Sequence, residues 1–168
     1  TPTDKAFGDA DFGVTATGGD SDQPVIISSK TNNICSTDDN GVVAILKAGT
    51  CTLAVNQSGN DNYAAATEQT HDIIIAKADQ VISFALDTPN SAAVGTADFT
   101  VTAIGGASNE SVVVTSQTED VCSIDHNAIV SILTAGTCEL LANQDGNDNY
   151  NPAQEVTHSM VIQNAAVV

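Results

Sequence analysis

Tryptophan is absent, aromatic residues make up 4% of the chain, and Lys and Arg together number four in 168 residues. Each shortage argues against a class of function. A protein that grips phosphate backbones displaces counterions with many Lys and Arg, so nucleic acid is not an expected partner. Set against 21 Asp and Glu and a net charge of −17, the same shortage disfavours docking on anionic membrane surfaces. No apolar run approaches the roughly 20 residues needed to cross a bilayer, so no membrane insertion by this stretch is expected. Few aromatic residues leave a sugar-binding platform unsupported. The sequence has no initiator Met and no basic segment leading into an apolar one, and reads as a piece of something longer. What the chain does have is 42% hydrophobic residues, enough to build a core and to argue against disorder. Its acidic surface suits a salty medium and makes divalent cations natural partners.

The most informative feature is a duplication. Asp11-Phe12 recurs as Asp98-Phe99, Gly18-Gly19 as Gly105-Gly106, and Ala48-Gly49-Thr50-Cys51 as Ala135-Gly136-Thr137-Cys138. Gly59-Asn60-Asp61-Asn62-Tyr63 recurs as Gly146-Asn147-Asp148-Asn149-Tyr150, and His71 as His158. The offset is 87 throughout and needs no gap. About half of the aligned positions are identical, which marks a tandem repeat with a period too long for a solenoid. The expected domains are residues 1–77 and 78–168.

Within each unit the pattern is β. In the second, Val81–Leu86, Phe99–Ala103, Val112–Thr115, Val121–Ile124, Ile129–Leu133, Cys138–Ala142 and Val156–Ile162 read as strands, separated by turn residues. No amphipathic helix is evident. Seven short strands in under 90 residues fit an all-β fold of tandem immunoglobulin-like sandwiches. With no Trp available, Phe12, Phe84, Phe99 and the aliphatic residues are expected to fill the cores.

Each unit holds two cysteines, Cys35 and Cys51, then Cys122 and Cys138. An even count with duplicated spacing reads as one intradomain disulfide per unit, and each cysteine lies in an alternating run that should point it inward. Free buried thiols and metal ligation are the competing readings, the second without the short paired spacing that zinc sites use. Disulfides imply an oxidising compartment, at the cell surface or outside the cell.

The string Ala-Gly-Thr-Cys-x-Leu, followed by Asn-Gln-x-Gly-Asn-Asp-Asn-Tyr, resembles the tandem bacterial immunoglobulin-like (Big-type) repeats of surface adhesins and secreted proteins. Phe-x-Val-Thr-Ala and the Val/Ile-Cys-Ser segments fit the same pattern. The resemblance covers nearly the whole chain twice. It implies modules strung in series as a stalk or spacer, with adjacent repeats of the same parent chain as partners. A carbohydrate- or protein-binding module is the alternative, and an enzyme is not expected.

Few residues invite a chemical reading. In the Gly-Asn-Asp-Asn-Tyr loops, Tyr63 and Tyr150 are expected to pack as structural corners with the hydroxyl tied to backbone. Asp61 and Asp148 offer hard oxygen ligands, without the order of an EF-hand loop. Asp20, Asp22 and the turn Asp38-Asp39-Asn40 are turn residues first and cation ligands second. The stretch Ile73–Val81 joins the units without Gly, Pro or Ser, so a stiff junction is expected there. Asp79 and Asp87 could meet Asp9 and Asp11 near it and hold calcium, the one cofactor considered. His71 and His158 have no recognisable nucleophile beside them and are expected at the surface or an edge. Glu68 and Glu155 are lone in their segments, unlike a glycosidase pair. Asn56-Gln57-Ser58 and Asn109-Glu110-Ser111 match glycosylation sequons, which matter only in a eukaryotic secretory setting.

The phase of the repeat carries one more expectation. Thr1 aligns with Thr88, so the counterpart of the strand segment Ala78–Leu86 would fall ahead of Thr1, while Asn164–Val168 aligns with the start of that segment. Unit 1 is therefore expected to present an open edge or groove, filled by a neighbouring chain through strand exchange, by a rearranged strand, or not at all.

Overall fold

The computed structural model describes residues 5–166, which contain strands and no helix. The chain divides into two compact units, Thr1–Ala78 and Asp79–Val168.

Unit 1 is built from β1 (Lys5–Ala6), β2 (Phe12–Gly13), β3 (Val25–Ser29), β4 (Cys35–Thr37), β5 (Val42–Ile45), β6 (Gly49–Gln57) and β7 (Gln69–Ala76). One sheet has the order β1-β7-β6-β3 and the other β2-β5-β4. β-Branched and small residues dominate the strands, and alternate side chains of β6 and β7 are buried, as a sheet with one face on a core requires. Cys51 and Leu53 of β6, Ile73 and Ile75 of β7, and Cys35 and Val43 of the second sheet form that core.

Unit 2 repeats the plan with β9 (Ser91–Ala93), β10 (Phe99–Thr100), β12 (Val112–Ser116), β13 (Cys122–Ile124), β14 (Ile129–Ile132), β15 (Gly136–Gln144) and β16 (Val156–Gln163). Its sheets are β12-β15-β16-β9 and β10-β14-β13. Two short strands are added, β8 (Ser83–Phe84) and β11 (Ala103–Ile104), paired antiparallel with Phe84 opposite Ala103. The expected single strand Phe99–Ala103 is thus two, because the chain leaves β14 after Thr100 and turns to β8. Val101, Cys122, Val130, Cys138, Leu140, Met160 and Ile162 form the main core. A second cluster, Ile82 with Ala142 and Ala153, lies under β8.

Each disulfide ties the three-stranded sheet to the four-stranded one. Cys35–Cys51 and Cys122–Cys138 both have Cα atoms 5.6 Å apart, and all four cysteines are fully buried. Phe12, Phe84 and Phe99 pack against the cores but remain partly exposed, so aliphatic side chains and cystines fill the centres.

Candidate functional site

The polar side chains that recur in the two units do the same work in both. Gln57 and Gln144 end β6 and β15, and both are buried. Gln57 Oε1 accepts from Gly19 N at 2.7 Å, and its Nε2 donates to Gln23 O at 2.8 Å. Gln144 Oε1 accepts from Gly106 N at 2.6 Å, and its Nε2 donates to Glu110 O at 2.6 Å. Each amide fastens a loop that would otherwise leave backbone groups unpaired beside a core. The glycine pair makes room for it: a Cβ on Gly18 would stand 2.7 Å from Gln57 Nε2.

Asn60 and Asn147 organise the Gly-Asn-Asp-Asn-Tyr loops. Asn60 Oδ1 accepts from the N–H groups of Asn62 and Tyr63, both at 2.9 Å, and Nδ2 donates to Ser21 O at 2.9 Å. Asn147 makes the same three bonds to Asn149, Tyr150 and Ser108. Ser21 and Ser108 lock the loops further, donating from Oγ to Ser58 O and Asp145 O. The expected corner role does not fall to the Tyr63 ring, which is 48% exposed. The loop is held by Asn60 and by the Tyr63 backbone, so the ring is not needed as a fastener. Tyr150 is half-buried.

Asp38 and Asp125 close equivalent turns. Asp38 Oδ1 accepts from Asn40 N at 2.9 Å and Val42 N at 2.7 Å; Asp125 Oδ1 accepts from Asn127 N and Ile129 N, both at 2.9 Å. Bonds to the charged form hold both carboxyls below the usual aspartate range, the Val42 and Ile129 N–H groups contributing most. Lys30 pairs with Glu68, whose pKa is lowered first by that hydrogen bond and then by Asn56.

The residues named for calcium are scattered within each unit. Asp9 Oδ2 accepts from Ala6 N at 2.9 Å in a turn, and Asp79 Oδ1 accepts from Asn151 Nδ2 at 2.8 Å. Asp11, Asp61, Asp87 and Asp148 are exposed. Among the described residues, neither unit gathers three His, Cys, Asp or Glu side chains that could hold a metal ion.

The two histidines, expected at the surface or an edge, differ in exposure. His158 is half-buried, its ring centroid 5.3 Å from that of Phe84 and its Nε2 2.8 Å from Pro89 O. His71 is exposed and lines a cleft of about 400 Å³ with Val14, Ile27, Leu53 and Val55. The counterparts of these lining residues in unit 2 include Val101, Leu140 and His158, and there Phe84 packs against the core cluster that holds Val101 and Leu140 and lies beside the His158 ring. Exposure follows suit around it. Val101, Ala142 and Ala153 are buried in unit 2, whereas Val14 and Val55 are half-buried and Ala66 is exposed in unit 1.

Sequence reasoning missed Gln80. Gln80, Ile82 and Phe84 point inward and Val81 outward, at 80% exposure, so the signal was a period of two starting one residue before the strand was read. Gln80 Nε2 donates to Asp145 O and Asn151 O, at 3.0 and 2.8 Å, and its Oε1 accepts from Ser108 N at 2.8 Å.

No family model matches this chain, and no curated protein does. Among solved structures it is similar to domains 1–6 of the surface layer protein SbsC, with 19% identity, a TM-score of 0.40, and coverage of 86% of this chain and 20% of that one. Drosophila N-cadherin EC1-4 aligns with 98% of this chain and 49% of its own length, at 13% identity and a TM-score of 0.41. The C-terminal fragment of intimin, solved in complex with the intimin-binding domain of its translocated receptor, aligns with 88% of this chain and 55% of its own, at 16% identity and a TM-score of 0.34. The chain thus spans about a fifth of the surface-layer chain.

Proposed function

We propose that this chain is a pair of structural repeat modules of a bacterial surface or secreted protein, serving to hold a distal functional domain away from the cell. The observation that carries the reading is that the recurring polar residues Gln57/Gln144, Asn60/Asn147 and Asp38/Asp125 bind the chain's own backbone in both units. The duplication preserves a self-contained framework, which is what serial spacing needs. A disulfide inside each unit suits an oxidising, extracellular setting.

Thermal melting tests this. The expected result is a melting temperature of each unit that is unchanged by added glycans or proteins. A saturable shift with a glycan or protein, or turnover lost on one polar substitution, would contradict it.

A protein-binding module is the second reading. Ile26 and Ile74 on unit 1, and their counterparts Val113 and Val161 on unit 2, are each between 55% and 60% exposed. A repeated apolar pair facing solvent favours a protein surface over a glycan as the ligand of such a module.

A further inference from the structure

We infer that β12 of unit 2 is a docking edge for an extended peptide segment with apolar side chains at alternate positions and Lys or Arg at its ends, which pairs there as an added strand. The duplication provides the comparison, because β3 of unit 1 is the same strand with its edge blunted.

β12 is the terminal strand of the sheet β12-β15-β16-β9, and β13 is terminal in the sheet β10-β14-β13. Gln117 N donates to Glu139 O at 2.8 Å, and the register sets Thr115 opposite Leu141 and Val113 opposite Asn143. By antiparallel alternation, the N–H and C=O groups of Val113 and Thr115 face β15, and those of Val112 and Val114 face away from it. Such an edge is a template for another strand. β3 ends its sheet in the same way, with Val25 and Ile27 at the outward positions.

Three substitutions separate the two edges. In unit 1 Thr37 Oγ1 donates to Ile27 O at 3.4 Å, so a side chain occupies an outward carbonyl. Its counterpart in unit 2 is Ile124, which has no hydroxyl to offer Val114 O. Pro24 stands directly ahead of β3 and Lys30 directly after it, whereas Ser111 and Gln117 hold those places around β12. Proline and lysine at an edge guard against strand addition. β12 itself carries no charge, proline or glycine.

Charge decides the occupant. Gln23, Asn32 and Asn33 of unit 1 become Glu110, Glu119 and Asp120 around β12, and all four Lys of the chain lie in unit 1. A trough of about 370 Å³ beside β12 and β13 is lined by Val114 and Ile124 and by the carboxylates of Glu119 and Asp125. The apolar side chains of an added strand would meet the first pair, and its cationic ends the second. A second copy of the chain is a poor fit. Two β12 strands paired antiparallel about Val114 would set Glu110 of one chain beside Glu119 of the other, between chains of net charge −17. The ligand is a peptide segment rather than a glycan or a folded protein, so this contact is lateral to the spacing role and its failure leaves that role untouched.

The test is titration of the isotope-labelled, oxidised chain with a synthetic peptide of alternating valine and threonine ended by lysines, against the same peptide ended by glutamates. The expected result is saturable binding of the lysine peptide, with shifts and slowed amide exchange at Val112 and Val114 and none at Val25 and Ile27. The glutamate peptide should bind at least about tenfold more weakly. Moving the unit 1 guards into unit 2, as Ser111→Pro with Gln117→Lys and Ile124→Thr, should weaken binding by a similar factor. The circular dichroism and the Cys122–Cys138 bond should stay as in the parent, since unit 1 folds with those residues. Glu119→Gln with Asp120→Asn, both exposed, should also weaken the lysine peptide without altering the fold. No saturable binding of the lysine peptide, equal binding of the glutamate peptide, equal shifts at Val25 and Ile27, or self-association of the free chain through β12 would each overturn the inference.

Discussion

The His158 imidazole lies obliquely on the Phe84 ring, with centroids 5.3 Å apart and planes inclined by 42°. Its duplicate His71 faces a cleft that no ring fills. Removing Phe84 should make one unit resemble the other. Phe84→Ala is expected to destabilise unit 2 by about 3 kcal/mol, the low end for a phenylalanine truncation because the ring is only half-buried. The His158 ring protons should lose their ring-current shift and move toward those of His71. Urea denaturation and proton spectra of the variant check both outcomes.

Asn60 and Asn147 each carry three hydrogen bonds that close a loop. Replacement by Ala leaves the partner groups to water or unpaired, at a cost of about 1–3 kcal/mol. Tyr63→Phe should cost far less, since the ring is half in solvent and the fastening is through its backbone. Equal losses at Asn60 and at the Tyr63 hydroxyl, measured by urea midpoints, would return the corner role to the ring.

Each disulfide closes a loop of 16 residues in sequence separation. By the chain-entropy model each contributes about 3 kcal/mol. Unit 2 has the extra cluster under β8, which has no counterpart among the described residues of unit 1. Under reductant unit 1 should therefore unfold first. Unit-resolved exchange or limited proteolysis in increasing urea would show it, with fragments beginning in unit 1.

Acid should weaken both units through their turns. Asp38 and Asp125 lie below their ordinary value of 3.8, and Glu68 lies below 4.5. A carboxylate with a depressed folded pKa adds stability that is complete above its unfolded value and is lost as pH falls through the folded one. The urea midpoint should be insensitive to these groups near neutrality and fall below about pH 4. An Asp38→Asn, Asp125→Asn double variant, which keeps the accepting oxygen, should lose less between pH 4 and 2 than the parent.

Much of this was legible in the sequence, and the reasons are local. A period of two in Cys51–Val55 and Cys138–Ala142 placed the cysteines inward, and the duplicated spacing paired them. The strands β1 and β9 were not legible: two or three residues carry no period, and both exist only by parallel pairing with the last strand of their unit. The roles of Gln57 and Gln144 were not legible, since their partners are loop carbonyls and N–H groups more than thirty residues away. The alignment of Asn164–Val168 with the segment that opens unit 2 falls partly outside the described residues.

Amide exchange on the free chain, with both units compared in one sample, bears most directly on the inequality of the two halves. Ala103 and Ile104 pair with β8, whereas Thr15–Thr17 pairs with no strand among the described residues. Exchange at Thr15–Thr17 should be faster than at Thr102–Ile104 by at least tenfold, while Cys51–Leu53 and Cys138–Leu140 remain protected in both units. Equal protection of the two segments would contradict the pairing difference between them.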